Sequence, residues 1–137
     1  MEEPEKPLTM VLFSGTDDKL TAASVLAVGA AAMGRRVNIF LQYYALDAFR
    51  TGKLHDDHRL SPEATAEQAP AIMAHPGQHW SELLRQAKDV GEVDIQACAL
   101  SMDIFHLKRE DLDQLVDGVE GVAAFMASAS EGPVVFI

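Results

Sequence analysis

The chain has 137 residues, of which 48% are hydrophobic and 23% charged, which suits one globular domain with its own core. Its formal net charge of −10 argues against nucleic acid as a partner, because a phosphate backbone would be repelled. A single cysteine cannot form an internal disulfide, and no apolar run reaches the length of a membrane span, so we expect a cytoplasmic protein.

The N-terminal part of the chain predicts alternating strands and helices. Residues 1–7 carry four charges and no apolar run, which is typical of a flexible terminus and not of a signal or transit peptide. The residues that follow alternate strand-like apolar runs with helical segments, and this order predicts a parallel sheet with right-handed crossovers. The predicted elements are strands at 8–14 and 36–42 and helices at 19–34 and 43–53.

The helix predicted at 19–34 is rich in Ala and Gly, so it can lie very close to a sheet or to another helix. The segment SGTDDK before it allows a turn at Gly15 and offers polar caps in Thr16 and the two aspartates. It matches no glycine-rich phosphate loop, but a helix N-terminus can still bind an anion. We therefore take Gly15, Thr16 and Asp17 as candidate binding residues.

A long polar loop is predicted at 53–77, with one helical turn at 62–68. Loops of this length are commonly functional or mobile, and we expect this one to be more mobile than the sheet and to lie near the active face. Four histidines lie in or beside it, and imidazole is a common ligand of transition metals. A Pro-Gly pair separates the last two and breaks helical spacing, so we predict no metal. These histidines are His55, His58, His75 and His79.

The C-terminal part completes the pattern of an α/β protein. We expect one domain at 8–137, with a sheet of about five mostly parallel strands flanked by helices, of flavodoxin-like type. Its predicted elements are helices at 78–91, 108–119 and 121–130 and strands at 93–100 and 133–137.

Three aromatic residues, Tyr43, Tyr44 and Trp80, could line a pocket near the edge of this sheet. Packing of helices onto the sheet, or contact with another subunit, explains them more simply. We therefore leave them out of the candidate site.

The only cysteine, Cys98, falls near the carboxyl end of the strand predicted at 93–100. Ligands of open α/β sheets bind outside the carboxyl ends of the strands. A small polar turn, Ser101-Met102-Asp103, follows, and the amides of a helix beginning there would stabilise a thiolate. A free cysteine is nevertheless more often a core residue. On these grounds both a reactive and an inert Cys98 stay open.

Two stretches of the sequence resemble a known family. GTDDKLTAASVLAVGAAAMGRRVNIFLQYYAL resembles the first half of the DsrE/DsrF-like proteins, and VDIQACALSMDIFHLKREDLDQLVDGVEGVAAFM resembles the second half of the DsrE2-like branch. The second pattern is a strand, Cys, two residues and Ser-Met-Asp. The resemblance implies a small α/β fold, oligomeric assembly and sulfur handling through a persulfide on Cys98. The segment 53–77 departs from the Gly/Met-rich segment expected of that branch.

Two hypotheses about function follow. In the first, the protein is a cytoplasmic sulfur carrier or sulfurtransferase without a cofactor, with Cys98 as the reactive group and Ser101, Met102 and Asp103 around it. Its partners would be sulfur donor and acceptor proteins, and it would form a homo-oligomer, a trimer or a related assembly. In the second, it is an oligomeric binding or scaffold module with an inert Cys98 and a ligand or metal at 53–79.

Overall fold

The computed structural model describes residues 5–54, 59–129 and 131–137. Within them, five strands form one sheet in which every pairing is parallel. The predicted α/β class and the five-stranded parallel sheet are therefore confirmed. The strands are β1 (Leu8–Leu12), β2 (Val37–Leu41), β3 (Val93–Cys98), β4 (Gly118–Glu120) and β5 (Val134–Phe136).

The strand order across the sheet is β4-β3-β2-β1-β5, which differs from the 2-1-3-4-5 order of flavodoxin. The first three crossovers each step one strand in the same direction, whereas the last returns from β4 across the sheet to β5. Because crossovers are right-handed, the returning one lies on the opposite face. The helices are α1 (Asp17–Ala32), α2 (Tyr43–Ala48), α3 (Gln68–Ala74), α4 (Trp80–Val90), α5 (Ala99–Ile104) and α6 (Val122–Ser128).

Side-chain alternation along the central strands gives the sheet two unlike faces. One face, lined by aliphatic residues such as Ile39 and Ile95, packs against α1 and α4 in the main core. The other carries Phe40 and Cys98, which share a separate buried cluster with Phe125 of α6. We call these the α1 face and the α6 face.

Small residues bring α1 close to its neighbours, as the sequence predicted. Ala23, Ala27 and Ala31 of this helix are buried in the main core. A Cβ atom added to Gly91, at the end of α4, would come within 3.0 Å of the Ala31 Cβ atom. No helix in the described ranges has both the length and the apolar character needed to cross a membrane.

The segment after β3 is helical, as expected, but the helix begins at Ala99 and includes Ser101–Asp103, so the separate polar turn predicted there is wrong. α5 begins directly after β3, with Cys98 as its N-cap residue in an extended conformation. Ser101 does not cap it, because this side chain is buried and bonded to the turn between β2 and α2. The strand predicted at 93–100 therefore ends two residues early.

The helix predicted at 108–119 is also wrong. The chain makes a single 3-10 turn at Arg109–Asp111, and β4 takes up the end of the predicted helix. An aspartate explains part of the change, since the Asp113 side chain accepts the amide of Leu115. Such bonds replace the amide–carbonyl bonds of a helix, so a turn forms instead.

The long loop predicted at 53–77 contains a helix that the sequence analysis placed too early. α3 begins at Gln68, where the predicted helical turn at 62–68 ends. Thr65 and Gln68 exchange hydrogen bonds between their amides and side chains, as in a capping box, and so set this start. None of the α3 residues is buried, so this helix adds nothing to the core.

Candidate functional site

Cys98 lies at the carboxyl edge of the sheet as the last residue of β3. Its side chain belongs to the α6 face and is only 5% exposed. Phe125 of α6 and the next buried residue of that segment, Ala129, complete the cluster around it. The thiol is therefore at the edge expected for a reactive group but is buried in a cluster that includes a residue of α6.

A carboxylate neighbours Cys98 across the sheet. Glu120 of β4 is the register partner of Cys98, and register partners place their side chains on the same face. A carboxylate side chain therefore lies on the same face of the sheet as the thiol, one strand away. Arg109 lies between Cys98 and Glu120 in the sequence. Its guanidinium donates a hydrogen bond to the carbonyl of Asp117 at 2.7 Å, just before β4.

Ser101 has a structural partner rather than a bond to Cys98. Its side chain is fully buried, and its Oγ accepts the amide N–H of Tyr43 at 3.0 Å. Tyr43 has a φ of 46°, in the left-handed region that non-glycine residues rarely adopt. The hydroxyl of Ser101 thus supports a strained turn between β2 and α2.

The other two residues of the Ser-Met-Asp motif differ in their environments. Met102 is buried in the main core, away from the α6 face. Asp103 is exposed on α5. The binding role predicted for these two side chains stays a prediction.

Gly15 contacts the same strained turn from the other side. A Cβ atom at this position would lie 2.3 Å from the carbonyl oxygen of Tyr44, so any larger residue would displace the backbone. Gly15 and Ser101, which come from separate segments of the chain, therefore meet at the Tyr43–Tyr44 turn. No local sequence pattern predicted this contact between the two segments.

Thr16 and Asp17 belong to a polar cluster at the start of α1. The Thr16 Oγ1 lies 3.2 Å from the Oγ of Ser61, and the Trp80 Nε1 donates to the Asp17 carboxylate at 3.2 Å. The amide of Asp17 donates to the carbonyl of Arg59 at 2.7 Å. The Asp17 amide is already used in this hydrogen bond, and the carboxylates of the cluster are negatively charged, so the cluster is poorly suited to bind an anion.

Asp18 ties a residue of the long loop, Ser61, to α1. Its carboxylate accepts both the amide and the hydroxyl of Ser61, each at 3.1 Å. Burial alone would raise the pKa of Asp18, but the hydrogen bonds from Thr16 and Ser61 outweigh it and lower the pKa below its usual value of 3.8. This carboxylate is therefore an anchor in its charged form.

The described histidines of the loop bond to local groups. The Nδ1 of His79 lies 2.7 Å from the Ser81 hydroxyl and accepts the Ser81 amide as the N-cap of α4. The Nδ1 of His75 accepts the amide of Gly77. Among residues 5–54, 59–129 and 131–137, no three metal-ligating side chains come together. His55 and His58 lie outside these ranges.

A group of aromatic residues follows the strand ends along the carboxyl edge. The ring centroids of Phe13 and Tyr43 are 5.1 Å apart, and those of Phe13 and Phe136 are 5.8 Å apart. Sequence reasoning missed Phe13 and Phe136, although both stand at the ends of apolar strand patterns. We call the group the aromatic rim; its members are Phe13, Tyr43, Tyr44, Phe105 and Phe136.

Trp80 is not part of the rim. It is buried in the main core, with its ring centroid 4.8 Å from that of Phe49. The interpretation of Trp80 as a packing residue is therefore confirmed. Tyr44 and Phe136, by contrast, are largely exposed.

Residues 4–137 match a protein family in sequence. The model of the DsrE/DsrF/DrsH-like family matches residues 4–79 and 71–137. This chain belongs to the DsrE/DsrF/DrsH-like family. The two matched ranges overlap at 71–79. The segment 53–77, which departs from the DsrE2-like pattern, ends within this overlap.

Three individual proteins are similar to this DsrE/DsrF/DrsH-like chain. It is 32% identical over 158 residues to the uncharacterized protein YrkE of Bacillus subtilis (strain 168), and the alignment covers 98% of each chain. It also resembles the protein of unknown function MTH1491 from Methanobacterium thermoautotrophicum, with a TM-score of 0.61, 14% identity and coverage of 97% and 100%. The ychN protein from E. coli has a TM-score of 0.55, 14% identity and coverage of 95% and 99%. The two structures show a shared fold.

Proposed function

We propose that this DsrE/DsrF/DrsH-like chain is a sulfur carrier or sulfurtransferase that holds sulfane sulfur as a persulfide on Cys98. The position of Cys98 carries the proposal. The only thiol of the chain stands at the carboxyl edge of a parallel sheet, at the end of β3, where α/β proteins place their reactive groups. Family membership supports it.

The chemistry needs only thiols and persulfides. The Cys98 thiolate attacks the terminal sulfur of a donor persulfide, R–S–SH. The S–S bond of the donor breaks, R–S⁻ leaves, and a new S–S bond forms between Sγ and the transferred sulfur, which keeps its proton. An acceptor thiolate then attacks that outer sulfur and regenerates the Cys98 thiolate. No net oxidation occurs and no cofactor takes part.

The partners in this scheme are a donor and an acceptor that carry thiols, and we place the reaction in the cytoplasm, where thiols stay reduced. The aromatic rim offers such partners an apolar surface on the same edge of the sheet as Cys98. We also propose that the chain forms a homo-oligomer, a trimer or a related assembly. The exposed apolar residues of the edge strand β5 support it; they are Val134 and Phe136.

Mass spectrometry of the intact protein tests the sulfur-carrier role. The reduced protein, incubated with inorganic polysulfide as the sulfane-sulfur donor, should gain one sulfur atom, and a dithiol reductant should remove it. Cys98→Ser should abolish the adduct and keep the wild-type circular dichroism spectrum. A wild-type protein that stays unmodified under conditions where its thiol can be alkylated would refute the role.

A second candidate function has one observation in its favour. The burial of Cys98 is the state expected of an inert core cysteine in a binding or scaffold module. In that case Cys98→Ser should lower the stability of the protein, because a hydroxyl would be buried in an apolar cluster. Alkylation of wild-type Cys98 would then occur only when the whole protein unfolds.

A further inference from the structure

The helix that covers Cys98 is held to the sheet by very few side chains. Phe125 is the buried residue of α6, and its ring stacks on Phe40 with centroids 4.5 Å apart and planes 17° apart. Ala129, just after the helix, is the other buried contact of this segment. The outward side chains Val122 and Met126 are exposed. One stacked ring therefore supplies most of the contact between α6 and the sheet.

The opposite side of the sheet is built differently. α1 extends for 16 residues, buries six of them there and packs against α4. α6 has seven residues, begins after an exposed glycine, Gly121, and follows the three-residue edge strand β4. Segments with few buried contacts open at a lower free energy than the global unfolding of the domain. The helix on the α6 face is therefore held to the sheet much more weakly than the helices on the α1 face.

We infer that α6 is a lid over the Cys98 thiol, which opens locally while β1, β2, β3 and the α1 face stay folded. The inference rests on the proposed role of Cys98 and adds how a buried thiol meets its donor. In the closed state, Phe125 and Ala129 keep small thiols away from Sγ. In the open state, Cys98 and Phe40 form an apolar surface at the carboxyl edge, where a donor persulfide can reach the thiol.

Alkylation kinetics of the wild-type protein test the lid directly. Cys98 is labelled with iodoacetamide at a series of urea concentrations below the unfolding transition, and the rate in unfolding urea serves as the unprotected reference. Local opening exposes little surface, so the labelling rate should depend only weakly on urea, whereas labelling through global unfolding follows the full m-value. Labelling that follows the full m-value would overturn the lid, and so would a native rate equal to the unprotected one.

Gly29→Ala provides a second, independent test of whether labelling occurs by local opening or by global unfolding. Gly29 lies within α1, and an added Cβ atom meets nothing within 4 Å, so the change should stabilise the folded domain through helix propensity. If labelling needs global unfolding, the variant should slow it by about two- to fivefold. With a local lid on the other face, the labelling rate should stay the same.

Phe125→Ala tests the contact that closes the lid. Loss of the buried ring should speed labelling by at least about tenfold, because the closed state loses its main packing contact. Met126→Ala, on the outward side of the same helix, should leave the rate near that of the wild type. If Phe125→Ala does not fold, Phe125→Leu takes its place with a smaller acceleration. Equal rates for the Phe125 and Met126 variants would contradict the lid.

The outcomes for the lid and for the proposed function are distinguishable. A thiol that is labelled by local opening but takes up no sulfur from polysulfide would refute the sulfur carrier and leave the lid standing. Sulfur uptake at a rate unaffected by Phe125→Ala would support the carrier and refute the lid.

Discussion

At the scale of single residues, the hydrogen bond between Ser101 and Tyr43 links two parts of the candidate site. Tyr43 adopts a backbone conformation that is costly for an aromatic residue, and such strain persists only where surrounding contacts hold it. Ser101 supplies one of these contacts and Gly15 leaves room for the turn. The aromatic rim depends on this turn, because Tyr43 and Tyr44 belong to both.

Ser101→Ala should destabilise the protein by about 1–3 kcal/mol, since it leaves the Tyr43 amide without its acceptor in a part-buried place. Urea unfolding followed by circular dichroism measures the change. Ser128→Ala removes a hydroxyl that bonds the Ala124 carbonyl on the exposed side of α6 and should cost little. Equal losses of stability in the two variants would contradict the role given to Ser101.

Asp18 makes a second residue-scale prediction, which concerns pH. Because the folded protein lowers the pKa of Asp18, the charged carboxylate stabilises the fold above its usual pKa of 3.8, and this contribution is lost as the pH falls through the lower, folded-state value. Asp18→Asn should therefore be less stable than the wild type by about 1 kcal/mol at neutral pH. The difference should shrink as the pH drops below that usual value.

Urea unfolding of both proteins between neutral and acid pH measures this difference. Asp103→Asn, a change at an exposed residue of α5, serves as the control and should show no such trend. A constant gap between Asp18→Asn and the wild type at all pH values would show that the carboxylate charge is not what anchors Ser61.

At the scale of helices and strands, the elements with a strong periodic pattern could be predicted from the sequence, and the short elements could not. The strands of the sheet's centre and the Ala-rich α1 follow from apolar runs and helix formers, and the structure has them within a few residues. β4 has three residues, too few to show the alternation of a strand, and the segment before it was predicted as a helix. Residues 118–120 form a strand because they pair with β3, which is a tertiary contact.

The candidate site was predictable in position but not in environment. A cysteine at the end of an apolar run points to a sheet edge, and Cys98 lies there. Its burial depends on a helix that begins more than twenty residues later, and the Ser101 contact depends on a turn far earlier in the chain. Such long-range contacts cannot be deduced from local patterns.

The segment around α3 makes a prediction at the element scale. Its residues are not buried, whereas the amide of Ser61 just before it donates to the Asp18 carboxylate. Hydrogen exchange should therefore be fast across 68–74, slower at Ser61 and slowest in β2 and β3. Amides of α3 that exchange as slowly as those of β2 would show that this helix is held by contacts outside the single chain.

At the scale of the whole molecule, apolar side chains are exposed at one edge of the sheet. Phe136 is 65% exposed and Val134 is 39% exposed, and both lie on the edge strand β5. Exposed apolar side chains on an edge strand are typical of an interface. The small residues of α1 are buried in the main core, so we place the oligomer contact at β5.

Light scattering at micromolar concentration should return a mass that is a multiple of the monomer. Phe136→Lys should shift the mass toward the monomer, because a charge would be buried in an apolar contact. Met33→Lys, which changes an exposed residue at the end of α1, should leave the assembly intact. A monomeric wild-type protein would contradict the oligomer, and dissociation by Met33→Lys alone would place the contact on α1 instead.

The pairing of β1 with β5 has a further consequence. β1 forms near one end of the sequence and finds this neighbour only near the other, at Thr9 opposite Val134. Contacts of such long sequence separation form late, so for part of its folding the molecule exposes β1 as a bare edge with unsatisfied amides and carbonyls. The β5 strand of a second copy fits the edge of β1 as well as the β5 strand of the same chain does. The α6–β5 segment is thus suited to exchange between copies, and crowded refolding should favour intertwined dimers.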